Sequence, residues 1–61
     1  MKVRTEVQVY ELNGNEANGK NIAIENDWIS ATRVILVVGE YRYLVSAANL
    51  RRAIDNATNH S

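Results

Sequence analysis

Seven carboxylates, one histidine and three serines are the side chains of this 61-residue chain that could carry acid–base, metal or nucleophilic chemistry. Their spacing decides whether they do. Glu6, Glu11, Glu16, Glu25, Asp27, Glu40 and Asp55 contain no pair at helical or strand spacing on a face expected to be buried, which is what would hold one carboxyl protonated beside an ionised partner. Glu25 and Asp27 share a strand parity and could grip a cation weakly, but the reading adopted is two solvated loop acids. His60 sits beside the C-terminal residue without the convergent partners that catalysis or metal binding needs. Ser30, Ser46 and Ser61 have no base placed by a motif, and Ser46 is better explained as a helix cap. Cysteine is absent, which removes thiolate nucleophiles and sulfur-ligated metal. Gly14, Gly19 and Gly39 open no helix at phosphate-binding spacing and are read as turn residues. The expectation is therefore a protein that is not an enzyme, with no catalytic residue, no cofactor and no metal.

Charge narrows the partners. Seven Lys and Arg balance seven Asp and Glu, whereas neutralising phosphates calls for a basic excess. A nucleic-acid module built from Arg4, Arg33 and Arg52, with Tyr10 or Tyr41 stacking on a base, is the alternative to a protein-binding one. It is disfavoured because Glu6, Glu11 and Asp55 would blunt the field. Arg51 and Asp55 read more simply as an i,i+4 surface pair. No stretch approaches the ~20 apolar residues of a membrane span, and Arg4, Glu6 and Gln8 interrupt any signal-peptide core. A soluble protein of the cytoplasm is expected, so the glycosylation-like triplets at 56–58 and 59–61 are taken as chance matches.

The elements follow from periodicity. Residues 3–12 place Val3, Thr5, Val7 and Val9 against Arg4, Glu6, Gln8 and Tyr10, a period of two that predicts a half-buried strand. "NGNEANGK", 13–20, has two Asn-Gly pairs and reads as an exposed hairpin loop. "KNIAIE" alternates again, with Ile22 and Ile24 opposite Asn21, Ala23 and Glu25. In 26–32, Trp28 and Ile29 are expected to fold back onto the sheet. "RVILVV", 33–38, has the β-branched density of an interior strand. Gly39-Glu40 fits a type II′ turn and sets Val38 opposite Tyr41, Val37 opposite Arg42 and Leu36 opposite Tyr43. After Ser46, a stripe of Ala47, Leu50, Ala53, Ile54 and Ala57 predicts an amphipathic helix of about three turns. Residues 1–61 thus form one α+β domain, a four-stranded antiparallel meander followed by one C-terminal helix packed on one sheet face.

One helix covers one face. The side with Val34, Leu36, Val38, Tyr43 and Val45 is the richer partner for it, leaving Ile35, Val37 and Leu44 around Arg42 bare, a patch that monomers avoid exposing. Three coverings are open: the 26–32 connection and the Asn-rich loop, a second copy in a homodimer, or a different protein. The homodimer is preferred, because a chain this short without disulfide or metal needs added core. Ile35, Val37, Arg42 and Leu44 would form the interface, with Trp28 and Tyr10 as aromatic anchors at its rim.

The ending "YLVSAANLRRAIDNATN" after a meander, in a compact neutral chain, resembles small proteins encoded by bacteriophages and prophages. The likeness is one of general build. It implies a role in binding and blocking another protein, such as a host or defence factor, and transfers no functional residue.

Overall fold

A computed structural model describes residues 1–59; His60 and Ser61, with the expectations attached to them, lie outside the described residues. Four strands, β1 (Arg4–Val7), β2 (Ile22–Asn26), β3 (Arg33–Val38) and β4 (Tyr41–Ser46), form one open antiparallel sheet in the order β1-β2-β3-β4. Helix α1 (Ala47–Thr58) follows. The α+β meander with a C-terminal helix is the architecture that the periodicity predicts.

The β3–β4 hairpin carries the expected register, from Val38 opposite Tyr41 to Val34 opposite Val45. Gly39 has φ +60° while no non-glycine residue among those described has a positive φ. Only the first central position is left-handed, as a type II′ turn requires.

β1 is shorter than expected. Its ladder with β2 ends at Val7 opposite Ile22, and pairing resumes only at Tyr10 opposite Glu16. Residues 8 and 9 therefore face residues 17 to 21. The second Asn-Gly pair explains the mismatch, because Gly19, at φ +81°, turns the chain so that Lys20 N–H donates to the Ala17 carbonyl at 3.2 Å. The first pair forms the hairpin tip, where Gly14 N–H donates to the Glu11 carbonyl at 2.8 Å.

α1 starts where Ser46 stops pairing as a strand. The Ser46 hydroxyl accepts from Asn49 N–H at 3.2 Å, and Ala47 N–H donates to the Thr32 carbonyl at 3.0 Å, tying the first turn to the sheet. At the other end, Asn59 N–H donates to the Asp55 carbonyl. The helix packs against β4, the strand it follows, yet none of its residues is buried. The core is correspondingly small: among the described residues Ala17, Ala23, Val37 and Glu25 are buried.

Candidate functional site

Directly paired residues of an antiparallel sheet point to the same face, so the registers sort every strand residue. Arg4, Glu6, Ala23, Glu25, Arg33, Ile35, Val37, Arg42, Leu44 and Ser46 share one face. Thr5, Val7, Ile22, Ile24, Val34, Leu36, Val38, Tyr41, Tyr43 and Val45 share the other, with Asn26 the remaining amide. Every charged residue within the strands lies on the first face, and the second carries none.

The charged face is where the buried residues of the strands lie. Glu25 is only 2 % exposed. Arg4, directly opposite on β1, donates to one carboxylate oxygen and Arg42, on β4, to the other. Arg42 begins two strands away from Glu25, a span of about 10 Å. Its stem must cross β3 near Val37, its paired neighbour, and Ile35. That accounts for a Val37 only 6 % exposed on a sheet with no helix residue buried against it. The Arg4 hydrogen bond is the largest influence on the Glu25 carboxyl and lowers its pKa; burial pushes it up, Arg42 pulls it down further, and the net position is below the ordinary glutamate value.

Asp27 is held by Arg33, whose Nε and Nη2 lie 3.1 and 2.9 Å from Oδ2. Its Oδ1 accepts from Ile29 N–H at 3.2 Å, closing an Asx turn. This corrects the reading of Glu25 and Asp27 as solvated loop acids. Glu25 is filled by two arginines that β-pairing brings from 21 and 17 residues away, and Asp27 is shared between Arg33, six residues on across the β2–β3 connection, and Ile29 N–H. The turn also sends Trp28 and Ile29 outward: both are exposed, Trp28 at 78 %, where the spacing predicted that they fold back onto the sheet. A shallow groove of about 360 Å³ lies between them and the charged face, with Lys2, Ile35 and Arg42 in its walls.

The expected interface residues therefore divide. Val37 is buried within its own chain and Ile35 is half-buried, so neither is a bare patch. Leu44, Trp28 and Tyr10 are exposed, and Arg42 keeps about half of its side chain in solvent. The expected nucleic-acid triad does not assemble into a field of free cations. Arg4 is engaged by Glu25 and by Glu6 at 3.7 Å, Arg33 by Asp27, and Arg52, on the helix, donates to the Asn49 amide oxygen at 3.0 Å. The Arg51–Asp55 pair is not among the ion pairs of the described residues. Among those residues no three metal-ligating side chains cluster, and no helix is long and apolar enough to cross a membrane.

The uncharged face is the one the sequence made the richer partner for the helix, with the reverse assignment left open. None of its strand residues is buried: Val7, Val38, Tyr41 and Tyr43 are exposed, while Ile22, Ile24, Val34, Leu36 and Val45 are half-buried. Periodicity placed these side chains on a common side without showing that the arginine stems would cover the opposite one. No protein family, curated protein or solved structure matches this chain.

Proposed function

We propose that this chain is a non-enzymatic, self-associating protein-interaction module that binds a second protein along the groove between Trp28 and Arg42. The supporting observation is a 78 % exposed tryptophan beside a half-exposed arginine and the apolar Ile35. Tryptophan and arginine are the residues most enriched where binding energy concentrates. A free indole here has no role in holding this chain together. Leu44, exposed on the same charged face and paired with Ile35, would extend the contact, whereas Tyr10, paired with Glu16 at the hairpin end of the sheet, lies away from the groove it was expected to rim. The resemblance to small phage-encoded proteins makes a host or defence factor in the cytoplasm the class of target, with blocking as the mode of action.

Affinity capture with tagged protein tests this reading. A specific protein retained by the wild type and by Arg52→Ala but lost with Trp28→Ala is the expected result. The nucleic-acid alternative predicts instead a retained oligonucleotide, lost steeply with salt and weakened by Arg33→Ala or Arg52→Ala. That outcome would replace the proposal.

A further inference from the structure

We infer that the uncharged sheet face is the seat of a second copy of this chain, two copies stacking these faces into a two-sheet sandwich with the ion-paired faces outward. The surface of the single chain is the first ground. It exposes 5337 Å², while a compact monomer of 6.9 kDa exposes about 4,000 Å². Its Cα radius of gyration is 13.1 Å, against about 10.5 Å for a compact chain of this length. The excess, about 1,300 Å² per chain summed over the whole elongated molecule, is about 2,600 Å² for a pair, an amount of surface that an interface in the range of obligate homodimers would remove. An interface of that size completes a core and must be occupied whenever the chain is folded, and the partner always present is another copy.

Self-complementarity is the second ground. A two-fold interface sets a face against itself. On the charged face this would set Arg4, Glu6, Glu25, Arg33 and Arg42 against the same set of charges, and would strip solvent from ion pairs already satisfied within the chain. The uncharged face has no charge to match. Val7, Leu36, Val38, Tyr41 and Tyr43 can interdigitate with their equivalents across the ~10 Å spacing of stacked sheets, whatever the alignment of the strands. The inference rests on the self-association proposed above and names its surface; the Trp28–Arg42 groove is on the opposite side and stays open in the sandwich, so partner binding there can fail without it.

Adjacent residues of β4 supply the test, since Tyr43 and Leu44 are similarly exposed in one chain but point to opposite faces. Light-scattering mass after size exclusion, over a hundredfold concentration range, should show two chains for the wild type and for Leu44→Lys, and loss of the dimer for Tyr43→Lys. Because Tyr43→Lys could also unfold, single-cysteine variants give a second readout in a chain without native cysteine. Maleimide should label Tyr43→Cys about tenfold or more slower than Leu44→Cys, since labelling then awaits opening of the interface. A strict monomer across the range, a mass above two chains, dissociation by Leu44→Lys rather than Tyr43→Lys, or equal labelling rates would each overturn the inference.

Discussion

If two chains complete each other's core, dilution must destabilise the fold, and the structure sets by how much. Unfolding entropy near 60 °C is about 2.1 cal/mol/K per residue, so two chains of 61 residues that unfold together carry roughly 0.26 kcal/mol/K. A hundredfold dilution of a dimer that unfolds to two chains costs roughly 3 kcal/mol by mass action. Dividing one by the other predicts that the melting temperature falls by about 11 °C. The assay is far-UV circular dichroism or scanning calorimetry at matched heating rates, across two decades of protein concentration that bracket the micromolar range. A single chain with its own sufficient core would melt at one temperature throughout. A midpoint constant to within about 2 °C would refute the reasoning, because the exposed uncharged face would then be stable in water without a copy on it.

Three local features carry predictions of their own. Ser46→Ala removes the acceptor of Asn49 N–H and should cost about 1 kcal/mol, read as a lowered urea midpoint at unchanged slope. Gly39→Ala puts a Cβ on a residue at φ +60° with open space around it, so the cost is conformational alone, about 1 kcal/mol, measured in the same way. Glu25 has a folded-state pKa below its unfolded value. Its contribution to stability is complete above the unfolded value of about 4.3 and disappears as pH falls through the folded value. Urea midpoints of the wild type should therefore drop on acidification in that window, and those of Glu25→Gln should start lower at neutral pH and drop less.

The hairpin of β3 and β4, its type II′ turn and the Ser46 cap were all legible as residue patterns, because each depends on neighbours within a few positions. Gly39 between two β-branched and aromatic runs sets a register without help from the rest of the chain. The short β1 was also written locally, in the second Asn-Gly pair, but two such pairs in one loop do not announce which of them is the tip. The site was less legible. Alternation in "IAIEN" marks Ile22 and Ile24 as the side to bury, whereas Ala23 and Glu25 are the buried ones.

Sequence alone determined the elements, the meander's hairpin chemistry and the segregation of apolar side chains by strand parity, because dihedral preferences and periodicity act over a few residues. Tertiary structure alone decided which face is covered and which acids are paired. Arg4 reaches Glu25 from 21 residues away and Arg42 from 17, so their convergence exists only once three strand registers are aligned. With those two stems laid over the charged face, the fully buried strand residues lie there, and the uncharged face keeps Val7, Val38, Tyr41 and Tyr43 in solvent.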